Sequence, residues 1–170
     1  IGLGLLGLLT AQILRANGCK VIGIDLDENR LQVATSMGIE VMPLKNEGKD
    51  QILAEISNGY GVDGVIITAA SKSDLLISEA FNYCRKKGRV VIVGDIGLTL
   101  NRSDFYEKEI DIFISSSYGP GRYDRKYEDE GLDYPISYVR WTENRNMEEY
   151  LNLLEKKKVV LDKIISGCYP

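Results

Sequence analysis

The amino-acid sequence predicts an α/β fold: a doubly wound parallel sheet of about six strands with helices on both faces. Two observations carry that expectation. Across residues 1–115, short apolar runs suited to buried strands alternate with stretches of helical period, as in a parallel sheet joined by right-handed crossovers. The chain has 170 residues, 44% hydrophobic and 27% charged, which is enough to bury one substantial core.

Each element has its own signal. Leu6, Leu8, Leu9, Ile13 and Leu14 recur at helical spacing after an opening glycine turn, and Gly18 stands where that helix would stop. Val21-Ile22-Gly23-Ile24, closed by Asp25, reads as a buried parallel strand. Asp27 can cap a helix to about Met37, with Gly38 as its stop. Glu40 to Pro43 suits a brief edge strand, 47–57 a helix and Val62 to Thr68 a buried strand. Ser71 and Asp74 have capping-box spacing before a helix to about Lys86, which carries Cys84 on its core side. Arg89 to Val93, ended by Gly94, and Ile110 to Ser115 read as further strands.

The pattern then changes. Residues 116–145 hold Tyr118, Tyr123, Tyr127, Tyr134, Tyr138 and Trp141 among many charges, with little periodicity. So long a segment is usually functional or disordered. A helix from Met147 to Lys158, capped by Asn146, and a short strand around Ile164 and Ile165 close the chain. The expected organisation is a core at 1–115, an aromatic-rich loop at 116–145 and a C-terminal helix and strand at 146–170. The first residue is not Met and adjoins a glycine motif that normally follows a strand, so we expect upstream sequence.

Composition removes several function classes. A net charge of −4 argues against nucleic-acid binding, and no apolar run approaches a membrane span. The opening residues lack the charged start and cleavage site of a signal peptide. Cys19, Cys84 and Cys168 are odd in number and widely spaced, which suits a reducing cytoplasm better than a disulfide framework. With no histidine, Ser-His-Asp and Cys-His catalysis and histidine-ligated zinc are excluded within this chain. No catalytic or metal-ligating residue is therefore expected here.

Gly2-Leu3-Gly4-Leu5-Leu6-Gly7 fits G-x-G-x-x-G. Alone that motif is weak, but here it opens a helix, a strand follows, and Asp25 ends that strand 18 residues after Gly7. Gly2 permits the tight turn, Gly4 lets backbone approach a pyrophosphate, and Gly7 allows helix and strand to pack closely. The amides at the helix start, those of Leu5 and Leu6 included, would hold phosphates. Asp25 would accept hydrogen bonds from ribose hydroxyls and repel the extra phosphate of NADP, favouring NAD (NADH). This is a Rossmann-type arrangement. The alternatives are a structural glycine turn beside a surface aspartate, or another nucleotide or S-adenosylmethionine in the same crevice. Leu26 and Arg30 join the candidate set beside Asp25. Thr68-Ala69-Ala70 and Gly94-Asp95 join it because they end strands on the same rim, where open α/β sheets bind ligands. Ordinary turn chemistry is the alternative for both.

Taken together, Gly2 to Gly7, Val21 to Asp25 with Arg30-Leu31, Ala34, Gly38 and Ile39, then Gly61 to Ile66 and Arg89 to Gly94, resemble the medium-chain dehydrogenase/reductase superfamily. These are the zinc-type alcohol dehydrogenase relatives. The resemblance spans roughly residues 1–115. The tail from Leu151 to Ile165 resembles the point where such chains return to their catalytic domain. Within the superfamily, Ser115 to Tyr123 and Tyr138 to Glu143 resemble two-part oxidoreductases of bacterial surface-polysaccharide gene sets. The resemblance implies hydride transfer by the whole protein, to or from an alcohol, carbonyl or sugar, with only cofactor binding here. Any zinc would sit in a domain outside this chain.

For residues 117–141 two readings stand. The tyrosines could wall a substrate site, with Arg122 or Arg140 pairing an anion. Or they pack against another domain or a second subunit of a homo-oligomer, where Tyr, Trp and Arg are enriched. The competing function class is a nucleotide-sensing regulatory module without catalysis; a methyltransferase is a third.

Overall fold

Helix α1 (Leu5–Ala16) starts directly after the glycine turn and buries Gly7, Leu8, Ala11 and Gln12, the one-sided spacing of an amphipathic helix. Strand β1 (Ile22–Asp25) leads into α2 (Glu28–Ser36), where Asp27 caps the helix by accepting from the Asn29 amide at 2.8 Å. Strand β2 (Glu40–Pro43) follows, then α3 (Lys49–Ile56), β3 (Val62–Ile67), α4 (Leu75–Tyr83), β4 (Cys84–Ile92), α5 (Arg102–Phe105) and β5 (Asp111–Ile114). The computed structural model describes residues 1–45, 48–165 and 167. Glu47 and Cys168 lie outside the described residues.

The strands are parallel throughout. β1 pairs with β2, and β3, β4 and β5 pair in that order. Ile1 and Gly2 join the two groups. The Ile1 amine donates to Ile66 O at 2.7 Å, Thr68 N to Ile1 O at 2.8 Å, and Gly2 N to Ile24 O at 2.8 Å. The order across the molecule is therefore β2, β1, Ile1–Gly2, β3, β4, β5, with the carboxyl ends of the strands on one edge.

Helices cover both faces, and each face has its own core. Leu3, Leu8, Ala11, Leu31, Ala34 and Ile39 gather α1 and α2 on one side. Ile24, Met42, Leu53, Ile67, Ile77, Phe81, Val90 and Ile92 gather α3 and α4 on the other. The alternation of strand side chains sets this division: Ile24 enters the second core, while at its neighbour Gly23 an added Cβ would meet Leu3 of the first at 2.7 Å. Phe81 is fully buried against Phe105, ring centres 5.3 Å apart, so truncating it to Ala would cost about 3–5 kcal/mol.

Several expectations need correction. Five strands form among the described residues rather than about six, because Ile164 and Ile165 turn back to Leu161 O at 2.7 and 3.0 Å instead of extending. The helix expected to reach Lys86 stops at Tyr83, and Cys84, expected on a helix, begins β4. Lys108 closes that helix end, its ammonium donating to Phe81, Asn82 and Cys84 carbonyls at 3.1, 2.8 and 3.0 Å. The Ser71–Asp74 capping box does not form. Asp74 accepts from Thr99 N at 3.0 Å, and Ser73 Oγ takes the Leu75 amide at 3.2 Å.

Residues Ser115–Val160 form a second compact unit; Ile1–Ile114 and the described residues from Leu161 onward form the first. Within the aromatic-rich segment of this second unit one short helix forms. Helix α6 (Arg125–Glu128) is capped by Asp124, whose other oxygen accepts from the Tyr134 hydroxyl at 2.5 Å. Tyr127 stacks on Tyr134 with ring centres 5.5 Å apart. Helix α7 (Glu143–Glu155) starts four residues before the expected Met147, and Thr142 rather than Asn146 caps it. Asn146 lies inside the helix and donates to Tyr118 O at 3.0 Å.

Candidate functional site

The glycine turn is built by close contact. Gly2 has φ +92°, and a Cβ there would stand 2.5 Å from Ala69 N. A Cβ on Gly7 would stand 1.8 Å from Gly2 O. Thr68 Oγ1 braces the turn, donating to Gly2 O at 2.7 Å and lying 3.1 Å from Ile1 O. Gly4 is different: a Cβ there would meet nothing within 4 Å. Packing explains Gly2 and Gly7; at Gly4 the space is open.

Gly4 caps α1 without any side-chain hydrogen bond, and the first turn of the helix holds no acidic residue. The leading amides, from Leu5 onward, thus lack intrahelical carbonyl partners, and no acidic side chain of the first turn offsets the positive end of the helix dipole. Leu5 and Leu6 are 58% and 55% exposed, so this end opens to solvent.

Asp25 ends β1 next to the turn and is 7% exposed. Its Oδ2 accepts from Leu3 N at 2.6 Å and its Oδ1 from Asp27 N at 2.9 Å. Burial pushes this carboxyl up, but the Asp27 and Leu3 amides, the Arg30 guanidinium and the Leu26 amide outweigh it and hold the pKa below the ordinary 3.8. Asp25 is therefore an anion at neutral pH. A carboxylate offers about four lone-pair directions, so the Asp27, Leu3 and Leu26 amides leave it room to accept a hydroxyl donor. Arg30 Nη1 lies 3.7 Å from Asp25 Oδ2, and Leu26 is 62% exposed beside it.

The other strand-end residues sit on the same edge. A Cβ on Gly94 would lie 2.0 Å from Ala69 O, so β3 and β4 leave the sheet in contact. Ala70 and Asp95 line a shallow cavity of about 520 Å³ with Ser71, Lys72, Ile96 and Gly97. The structure thus connects Gly2, Gly7, Thr68, Ala69 and Gly94 by direct contacts, ties Asp25 to the turn through the Leu3 amide, places Gly4, Leu5, Leu6, Leu26 and Arg30 at the open side, and sets Ala70 and Asp95 at the cavity.

Sequence reasoning passed over Leu3, whose amide ties the turn to Asp25, and Ser71, Lys72, Ile96 and Gly97. Leu3 contributes only its backbone amide, which every residue but proline carries, so its side chain gave no signal. The cavity residues carried no signal, because two sequence-distant loops build it. Among the described residues no three Cys, Asp or Glu side chains cluster to hold a metal, and no helix is long and apolar enough to cross a membrane.

In the second unit, Arg122 lies over Tyr118 and Tyr123 and pairs with Glu128, while Arg140 stacks on Trp141 at 4.1 Å. Tyr138 is 87% exposed.

Comparison with known proteins gives the family and the fold. A family profile described as zinc-binding dehydrogenase matches residues 6–130. Over 95 residues the chain is 33% identical to the NAD-dependent alcohol dehydrogenase of Sulfolobus acidocaldarius, covering 55% of this chain and 26% of that protein. Over 174 residues it is 27% identical to an uncharacterized zinc-type alcohol dehydrogenase-like protein of Haemophilus influenzae, covering 99% of this chain and 42% of that one. The structure of a short chain alcohol dehydrogenase of E. coli, complexed with NADH, matches with a TM-score of 0.67 at 20% identity, over 95% of this chain and 41% of that one; the likeness is one of fold. The chain spans 26% to 42% of the length of these two curated relatives.

Proposed function

This chain belongs to the zinc-binding dehydrogenase family, and from that premise we propose that it is the NAD(H)-binding domain of an alcohol dehydrogenase-like oxidoreductase. The substrate class is a small alcohol or carbonyl compound, sugars included. One observation carries the reading: a buried, ionised Asp25 is tied by the Leu3 amide to a glycine turn whose next helix presents uncapped amides beside open space at Gly4. That arrangement suits a diphosphate joined to a ribose. The amides of Leu5 and Leu6 would take the diphosphate, and Asp25 the ribose hydroxyls. Leu26 and Arg30 would flank the adenosine, and Thr68 to Ala70 with Gly94 and Asp95 would line the rest of the rim.

Bound there, the nicotinamide supplies the hydride chemistry. The chain's own part is to bind and orient: the bracing of the turn by Thr68 keeps the amides in place, and the carboxylate at position 25 disfavours a 2′-phosphate. Among the described residues no three Cys, Asp or Glu side chains gather as a zinc donor set. A nucleotide-sensing module would use the same crevice; family membership favours the enzyme.

The test is titration of the purified protein with NADH and NADPH, followed by nicotinamide fluorescence and calorimetry. The expected result is NADH binding in the micromolar to submillimolar range, with NADPH at least about tenfold weaker, one like-charge repulsion being worth about that much at the rim. Equal affinities, or none, refute the reading.

A further inference from the structure

Three charged side chains meet at the rim beside β1. Arg30 lies with Nη1 3.7 Å from Asp25 Oδ2 and Nε 3.8 Å from Asp27 Oδ2. Asp27 divides its two oxygens: Oδ1 caps α2 by accepting from Asn29 N at 2.8 Å, and Oδ2 faces the guanidinium. Its own amide donates to Asp25 Oδ1 at 2.9 Å, which fixes the two acids relative to each other. Arg30 and Asp27 are about half exposed, with side chains 54% and 46% accessible, so both can meet a ligand at the rim.

The charge arithmetic has a consequence for cofactor choice. Two carboxylates against one guanidinium leave the rim with one net negative charge. Loss of Asp25 alone would bring it to zero, since Asp27 still neutralises Arg30. An arginine held between two acids is a poor partner for phosphate, although its planar fork is otherwise suited to one. We propose that Asp27 is a second specificity-determining residue, a carboxylate that occupies Arg30 and makes the rim refuse the 2′-phosphate of NADP(H) even where Asp25 is absent. This rests on reading the crevice as an NAD(H) site and adds to it a residue that acts through Arg30.

The experiment compares NADH and NADPH binding by fluorescence titration in the wild-type protein, Asp25→Ser, Asp25→Ser with Asp27→Asn, and that double variant with Arg30→Ala. Asparagine caps a helix as well as aspartate does, so Asp27→Asn removes charge without removing the cap; a thermal melt of each variant checks this, and Asp27→Ser, another good cap, serves as a second form. In the Asp25→Ser background, Asp27→Asn should tighten NADPH about tenfold, the effect of one unit charge at a half-exposed site. NADH should change less than about twofold, because it carries no group for the freed guanidinium. The gain should shrink as salt rises and vanish with Arg30→Ala. Equal NADPH affinity in the single and double variants, or a gain that survives loss of Arg30, overturns the proposal while leaving NADH binding by the wild type intact. A wild-type protein that binds neither dinucleotide overturns the crevice assignment and this proposal together.

Discussion

Two alanine substitutions in the glycine turn separate packing from ligand access. At Gly4 an added methyl group meets nothing within 4 Å, and the backbone there has φ −69°, which alanine adopts freely. The cost in stability is that of alanine in place of glycine at an N-cap, about 0.5–1 kcal/mol. Ligand binding should suffer more. An oxygen is held by an amide at about 2.9 Å, whereas a methyl carbon keeps neighbours near about 3.5 Å. An anion drawn to the Leu5 and Leu6 amides must therefore withdraw by about half an ångström. Losing one charge-assisted hydrogen bond, about 1.5–3 kcal/mol, weakens NADH about 10- to 150-fold. At Gly7 the balance reverses, because the Cβ would stand 1.8 Å from Gly2 O. Relieving that overlap to about 3.2 Å, the low end of ordinary non-bonded approach, moves the turn by more than an ångström. It disrupts the Gly2 O–Thr68 Oγ1 and Gly2 N–Ile24 O bonds of 2.7 and 2.8 Å. Overpacking at about 1–3 kcal/mol and two bonds at about 1 kcal/mol each total about 3–5 kcal/mol, or roughly 10 °C in melting temperature for a chain of this size. Differential scanning calorimetry and NADH titration on both variants decide the matter. If Gly4→Ala binds NADH like the wild type, or Gly7→Ala melts like it, the account of the turn is wrong.

Two further outcomes follow from single side chains. Asp25 has a pKa held below its ordinary 3.8, so its stabilising effect is complete above the unfolded-state value and is lost as pH falls through the folded one. Urea midpoints between pH 6 and 3 should fall more steeply for the wild type than for Asp25→Asn, and parallel slopes would contradict the bonding described for this carboxylate. Lys108 serves three carbonyls at the end of α4, so Lys108→Met should cost about 2–3 kcal/mol. Lys108→Arg should recover part of that, and a melting temperature within 2 °C of wild type for Lys108→Met, less than about 1 kcal/mol, would refute the role.

Local elements were legible where a residue's own backbone demand decides them. β2 occupies Glu40–Pro43 as the sequence implies, and Asp27 caps α2, because an aspartate one residue ahead of a helical stretch needs only local geometry to take the Asn29 amide. The end of α4 was not legible. Helical spacing runs on past Tyr83, but Lys108, 24 residues or more away, claims the carbonyls that would have continued the helix, and Lys87 takes φ 60° where β4 bends. In the segment 116–145 the aromatic residues looked unplaced because their partners lie within the segment itself: Tyr127 stacks on Tyr134, Tyr134 bonds the cap of α6, Arg122 covers Tyr118 and Tyr123, and Arg140 covers Trp141. Pairing of that kind leaves no period.

Composition, alternation of apolar runs and the spacing from Gly7 to Asp25 were enough, without coordinates, to establish a parallel α/β layer structure and to set the candidate residues at the ends of its strands. These follow from chemistry carried within a dozen or two neighbouring positions. Tertiary structure alone decided that Ile1 and Gly2 join two groups of strands, that Leu3 offers its amide to Asp25, and that Arg30 is shared between two acids. Those facts depend on groups meeting across the sheet edge, where distance along the chain says nothing about distance in space.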